Sequence, residues 1–370
     1  MSTEFYRAKS TCRVCGGSSL QDIMDFGRQA LASRFPREGE PVLICLEASL
    51  DDAARTAWTT DVRPVRGYDE ADPRPPFART LDLAIEAAKP YGRVAIEASQ
   101  GTQASDRMVG EPTTFTRGWF DAWPSAADAA PLLATGRAIK TEQEIERMRL
   151  ANEICAAAME HVRGELRPGM KESDAAAIWL GFVHGEGTGW RGKVELALGF
   201  SLVWSGEGIK TFTATGDRPV SADEPTLFEI WVCADGYWCD HTKLLCPGEL
   251  RDDYRDLEAG LLGVYDRAVA HCNPGASLAE LDRLVREGIS ELGYPGQPTH
   301  PICHGVGARA HEPPYAHQAG GGEVLEGMVL AIEPGCYWEG GGGLRVEDNF
   351  LITPRGAEKL SSFPDGVVEG

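Results

Sequence analysis

His300-Pro-Ile-Cys-His304-Gly-Val-Gly307, His311-Glu-Pro-Pro314, Ile332-Glu333-Pro-Gly335 and Arg345-Val-Glu347-Asp348 follow one another within one stretch of the chain. Four of the eight histidines, His300, His304, His311 and His317, fall at its start. Glycines flank most of its ionisable groups, and a residue without Cβ lets backbone approach a site closely. Imidazole combined with several carboxylates suits a hard or borderline divalent metal rather than a phosphate or a nucleic acid.

A second acidic segment lies upstream, in Phe228-Glu229-Ile-Trp231-Val-Cys-Ala-Asp235-Gly-Tyr-Trp-Cys-Asp240. Asp235-Gly236 is a strong hairpin signal. Apolar residues flank it on both sides, so Glu229 and Asp240 are expected on paired strands, able to point to one face. Two buried carboxylates side by side repel each other, and a cation between them removes that cost. Downstream, Glu333 ends the apolar run Met328-Val-Leu-Ala-Ile332, and a carboxylate at the end of a buried strand needs a partner. Alternation in Leu344-Arg-Val-Glu347 puts Arg345 and Glu347 on one face, which makes Arg345 a clamp for a ligand carboxylate.

With 370 residues the chain is long enough for two domains, each with its own core. A net charge of -20 argues against nucleic acid or an anionic membrane as the main partner. The first residues, Met1-Ser-Thr-Glu-Phe-Tyr-Arg7, contain no apolar run, so no secretory signal is expected. No apolar stretch is long enough to span a bilayer. The ten cysteines are scattered, which reads as reduced thiols of a cytoplasmic protein. Cys12 and Cys15 form the one close pair, and residues 12–35 resemble the start of the zinc-binding domain of some C-methyltransferases. A zinc site needs two further ligands, so a structural or vestigial role is assigned to that pair.

Residues 36–138 mix strand-like runs (Pro41-Val-Leu-Ile-Cys45 and Arg93-Val-Ala-Ile-Glu97) with a helical stretch near 80–88 and proline-marked loops. This is the pattern of a smaller α/β domain, residues 1–138. At Thr141-Glu-Gln-Glu144 a capping box opens a helix whose apolar face is Ile145, Met148, Asn152, Cys155 and Met159. That helix stops before Pro168-Gly169, and a second follows at about 173–183. The plan then recurs, with a helix over 252–270, Pro274-Gly275 and a helix near 278–292. Each half leads into strands bearing an acidic pair, Glu229 and Asp240 in the first, Glu333 and Glu347 in the second. Residues 139–370 therefore read as an α+β domain of two similar halves, each with two helices and a hairpin, related by a pseudo-two-fold axis where four carboxylates meet.

The motifs quoted above, together with Arg137-Ala-Ile-Lys140, resemble those of the pita-bread metallohydrolases, the family of methionine aminopeptidase, prolidase, aminopeptidase P and creatinase. The smaller N-terminal domain resembles the prolidase, aminopeptidase P and creatinase branch. The resemblance implies two divalent metals, Mn, Fe or Co with Zn as a further candidate, held by Glu229, Asp240, His304, Glu333 and Glu347. It implies catalytic roles for His311, Glu333 and Arg345, and a homodimer. The substrate-binding candidates are Phe212, Trp231 and His311. Three positions depart from the family pattern. Glu229 stands where the first metal-binding residue is usually Asp, Phe212 where a substrate-binding His is usual, and Lys243 where Arg is common.

The implied activity is metal-dependent hydrolysis of a C–N bond of Xaa-Pro peptidase type, with a small molecule or short peptide as substrate. Glu333 would take a proton from water and His311 would stabilise or protonate the intermediate. Two alternatives stay open at this stage. Phe212 in place of His fits a creatinase-like enzyme acting on a small nitrogenous metabolite, and the Glu229 and Phe212 changes together fit a non-catalytic ligand- or partner-binding protein.

Overall fold

The computed structural model describes residues 41–370 except 58, 68, 92, 93, 98–112, 210–212, 295 and 339. The Cys12–Cys15 pair and Phe212 lie outside the described residues. The described residues fall into two compact units that divide near Arg137.

In the first unit, strands β1 (Val42–Leu46) and β2 (Asp61–Val65) pair in parallel, joined through helix α1 (Leu50–Thr56). Helix α2 (Pro76–Ala88) begins with proline, whose fixed φ suits the first helical turn. Ile44, Val65 and Ala84 form a small core, with Trp119 and Trp123 packed on it. Trp119 and Trp123 come from helix α3 (Thr113–Ala122) and the residue beyond it. Strands β3 (Ala95–Ile96) and β4 (Ala127–Asp128) form a second parallel pair, and helix α4 (Ala130–Ala138) follows.

In the second unit the capping box forms as its residues require. Thr141 Oγ1 accepts from the Glu144 N–H while the Glu144 carboxylate accepts from the Thr141 N–H, and helix α5 runs Glu142–Glu165. Helix α6 (Glu172–Gly185) comes next. Strands β5 (Ala197–Ser205), β6 (Thr226–Ala234) and β7 (Tyr237–Cys246) then build an antiparallel meander. Asp235 (φ 49°) and Gly236 (φ 92°) make the turn between β6 and β7. This is the left-handed geometry a two-residue hairpin needs.

Alternate residues of β6 enter different cores, as the two-residue period of a strand demands. Phe228, Ile230, Val232 and Ala234 pack with Ile154, Met159, Trp179 and Val183 of α5 and α6. Leu227 and Trp231 face a second core built by helices α7 (Asp252–His271) and α8 (Leu278–Glu291).

The second half repeats the first with one elaboration. Pro168-Gly169 and Pro274-Gly275 each precede a helix, and both glycines adopt positive φ, 81° and 88°. Strands β8 (Cys303–Gly305), β9 (Glu312–Tyr315), β10 (Val329–Ile332), β13 (Asp348–Thr353) and β14 (Gly356–Lys359) form a five-stranded sheet in the order β14-β13-β10-β8-β9. The simple hairpin expected between Glu333 and Glu347 is opened here. A separate pair, β11 (Gly335–Trp338) and β12 (Gly342–Arg345), is inserted between β10 and β13. The C-terminal strand β15 (Val367–Glu369) adds in parallel to β7.

Candidate metal centre

The register of β6 and β7 assembles the upstream part of the site. Glu229 lies opposite Thr242 and Trp231 opposite Asp240, so all four share one face of the sheet. In the second half β10 and β13 pair antiparallel with Ile332 opposite Asp348. Glu333 and Glu347 therefore flank the same end of that pair. An antiparallel bridge between Thr242 and Glu347 brings β7 and β13 edge to edge, so the acidic pairs of both halves meet. His304 enters from β8, opposite Ala331 of β10, and His311 immediately precedes β9.

The five expected ligands come together, all buried. The ligand atoms of Asp240, His304 and His311, of His304, Glu333 and Glu347, and of Glu229, Asp240 and Glu347 form three overlapping groups, each within 4.8 Å. His304 Nε2 lies 3.6 Å from Asp240 Oδ2 and 3.4 Å from Glu333 Oε1. Its other nitrogen, Nδ1, is 3.0 Å from the Gly305 carbonyl oxygen. A carbonyl only accepts, so Nδ1 carries the proton and Nε2 can turn a lone pair toward the carboxylates. His311 Nε2 is 3.3 Å from Asp240 Oδ2, and the two imidazole centroids are 4.3 Å apart.

The electrostatics of this cluster call for a cation. Burial first, and then the charges of Glu347 and Glu333, push Asp240 well above the usual carboxylate range. Burial and the Glu333 charge likewise raise Glu347. Burial also acts to raise Glu333, but the charge of His300 and its hydrogen bond oppose that, and the carboxyl is held below its ordinary value. Burial depresses His311 well below its ordinary value, so it is neutral near pH 7. Both Asp240 oxygens and His304 Nε2 have no hydrogen-bond partner among the described residues. Buried acceptors that face one another without a donor are costly. A proton relieves one such contact, whereas a divalent cation among them relieves all, so the donor set fits a hard or borderline metal.

Arg345 reaches further than its spacing predicts. The expected contact to Glu347 is present, with Nε 3.6 Å from Oε2. Its Nη2, however, contacts Glu229 Oε2 directly. Its Nε also donates to Thr242 Oγ1, and Nη1 lies 3.2 Å from the Tyr337 hydroxyl. Arg345 is fully buried, and its contacts are to carboxylates and hydroxyls of the cluster. Asp235 is confirmed as a turn residue, accepting from the Glu195 and Leu196 N–H groups.

Trp231 stacks on Phe200 with centroids 5.1 Å apart and an interplanar angle of 19°, and it lies 6.1 Å from His311. It forms an aromatic wall beside Asp240.

Several residues at the centre carried no assigned role from sequence. His300 Nδ1 is 3.1 Å from Glu333 Oε2, and its Nε2 is 3.0 Å from the Tyr337 hydroxyl. Its signal was its place among the four clustered histidines, of which His317 is exposed and outside the cluster. Thr242 Oγ1 donates to Glu347 Oε2 at 2.7 Å, and strand alternation from Asp240 could have found it. Behind the ligands, Asp348 pairs with His241 at 3.1 Å, Lys243 at 2.6 Å and Lys359 at 2.9 Å. Lys243, one of the three departures, thus has a buried structural partner.

Residues 146–354 match metallopeptidase family M24. The chain is 31% identical to the Xaa-Pro dipeptidase of Pyrococcus furiosus over 226 residues, 61% of this chain and 63% of that protein. It is 27% identical to an uncharacterized peptidase of Staphylococcus saprophyticus over 343 residues, 92% and 90% of the two chains. The crystal structure of an X-Pro aminopeptidase from Thermotoga maritima superposes with a TM-score of 0.72 at 23% identity, covering 90% of this chain and 88% of that one. The prolidase of Pyrococcus horikoshii OT3 gives 0.71 at 23% identity over 88% and 86%. The α+β pita-bread fold is thereby established for this chain.

Proposed function

The chain belongs to metallopeptidase family M24, and from that premise we propose that it is a metal-dependent hydrolase that cleaves the amide bond of short peptides of Xaa-Pro type. The observation that carries this reading is the convergence of five buried metal-type side chains, among which both Asp240 oxygens and His304 Nε2 have no hydrogen-bond partner among the described residues. Glu229, Asp240, His304, Glu333 and Glu347 would hold two divalent metals, for which Mn, Fe or Co suits a mixed imidazole and carboxylate set. Bound there, the metals would supply Lewis-acid activation of water and of the substrate carbonyl.

The chain's own residues do the rest. Glu333, kept ionised by His300, accepts the proton of the attacking water. His311 is neutral and can donate a hydrogen bond toward the developing oxyanion. Trp231, stacked on Phe200, offers a flat apolar wall against which a prolyl ring packs. Arg345 holds Glu229 and Glu347 in place. On the same reading residues 139–370 are the catalytic domain and residues 1–138 a smaller accessory one, a division supported by the break between the two units at Arg137.

One observation favours a second reading of the metal count. The Arg345–Glu229 contact gives Glu229 a cationic partner of its own, which fits a centre with one tightly held metal. Substrate class is tested by assaying Gly-Pro and Ala-Pro beside amidino and acyl-amine metabolites. Turnover of the dipeptides supports the peptidase reading, and turnover confined to the metabolites overturns it.

A further inference from the structure

Two hydrogen bonds tie the side chain of Asn349 to the backbone of Asp240, across the interface between the two halves. Asn349 Oδ1 accepts from the Asp240 N–H at 2.9 Å, and Asn349 Nδ2 donates to the Asp240 carbonyl at 2.8 Å. Asn349 is fully buried. Its own backbone is engaged elsewhere, opposite Ala331 in the β10–β13 pair and accepting from the Leu360 N–H at 2.9 Å.

The strand geometry explains why a side chain is needed here. Strands β7 and β13 touch through the antiparallel bridge Thr242–Glu347. Continuing that register by two residues on each strand sets Asp240 against Asn349. At that point the Asn349 carboxamide supplies the donor and the acceptor that a second backbone would have supplied. A carboxamide offers the two on separate atoms, so one side chain can meet an N–H and a C=O at once.

The arrangement is reciprocal. Thr242 lies two residues beyond Asp240, and its hydroxyl donates to the Glu347 carboxylate. Asn349 lies two residues beyond Glu347, and its carboxamide holds Asp240. Each half thus carries, on its ligand-bearing strand, the side chain that fixes the ligand residue of the other half. Groups that orient metal ligands from behind typically change metal affinity about 10–100-fold when removed.

We propose that Asn349 is a positioning residue of the metal centre, whose carboxamide sets the main-chain orientation of Asp240 and couples it to Glu347 so that both carboxylates face the same cation. This rests on the metal-dependent reading of the site given above. A merely structural role would change stability while leaving the geometry of metal binding as it is.

The test uses the full chain, stripped of metal and titrated with Co2+. Calorimetry reads the affinity and visible absorption reads the coordination geometry. Two variants are compared with the wild type: Asn349→Leu, which keeps the volume and removes both polar atoms, and Asn349→Asp, which keeps the acceptor and removes the donor. Far-UV circular dichroism checks that each is folded, and Asn349→Asp carries the comparison if Asn349→Leu is not. The expected result is at least about tenfold weaker Co2+ binding in Asn349→Leu with altered absorption bands, and a smaller loss in Asn349→Asp. Folded variants with wild-type affinity and wild-type bands overturn the proposal, whatever their stability. A wild-type protein that binds no Co2+ overturns the metal-centre reading itself and this inference with it. Wild-type binding beside unchanged variants overturns the brace alone.

Discussion

Arg345 Nη2 contacts Glu229 Oε2 inside the centre, and both side chains are buried. Burial brings the guanidinium down to about 10, while the charge of Glu347 opposes that shift. The pair joins the last residue of β12, in the second half, to the middle of β6, in the first. It places a fixed positive charge beside the one acidic residue that departs from the family pattern.

Replacing Arg345 by Met leaves Glu229 as an uncompensated buried carboxylate. Breaking a buried pair from one side typically costs about 3–5 kcal/mol. The metal-free Arg345→Met variant is expected to lose stability of that order in urea unfolding. The metal-loaded variant is expected to lose distinctly less, because a bound cation takes over the compensation. Equal losses in the two states would show that Arg345 and the metal do not share Glu229.

Glu229→Gln separates the two metal counts. If Glu229 is a ligand of a second metal, the variant retains the first equivalent and binds the second more weakly than the about 10–100-fold loss typical of removing an outer contact. Calorimetric titration with Mn2+ reads both steps. An unchanged two-step titration would remove Glu229 from the ligand set.

Asp348 is the anion of the buried network behind the ligands. Burial acts to raise it, but Lys243 and His241 outweigh that and hold it well below the carboxylate range. Asp348→Asn leaves the buried Lys243 ammonium without its carboxylate and removes the anion that keeps His241 charged, so a loss of about 3–5 kcal/mol is expected. The pH dependence has a definite sign. A depressed folded-state pKa contributes stability that is fully present above the unfolded value, near 3.9, and is lost as pH falls below it. The wild-type advantage over Asp348→Asn should therefore hold at pH 5 and 6 and shrink under acid. Urea unfolding at a series of pH values measures this: His241, raised to about 9 with Asp348 beside it, adds to the wild-type advantage as pH falls toward 6.5, and an advantage that does not shrink below the unfolded Asp value would contradict the account.

Much of the fold could be read from local signals, because those signals act within one element. The capping box at Thr141 and Glu144, the Asp235-Gly236 turn and the repeated Pro-Gly turns each depend on near neighbours. Strand alternation and flanking glycines mark the acidic and imidazole groups of the centre as candidates, but the set of five comes from the resemblance of the motifs to the family. What stayed hidden depends on contacts between the halves. Alternation puts Arg345 and Glu347 on one face, but it does not say that the guanidinium also reaches Glu229 on β6. The β11–β12 insertion was missed because Gly340 to Gly343 carry no side-chain pattern. Asn349 gave no signal, since its partner Asp240 is 109 residues away.

The central claim is that turnover depends on a divalent metal held by this centre. The direct measurement is hydrolysis of an Xaa-Pro dipeptide by the protein as purified, after exhaustive chelation, and after reloading with Mn2+ or Co2+. The predicted result is that chelation abolishes turnover and either metal restores it, with Asp240→Asn unresponsive to reloading. Full turnover by the chelated, metal-free protein would contradict the account.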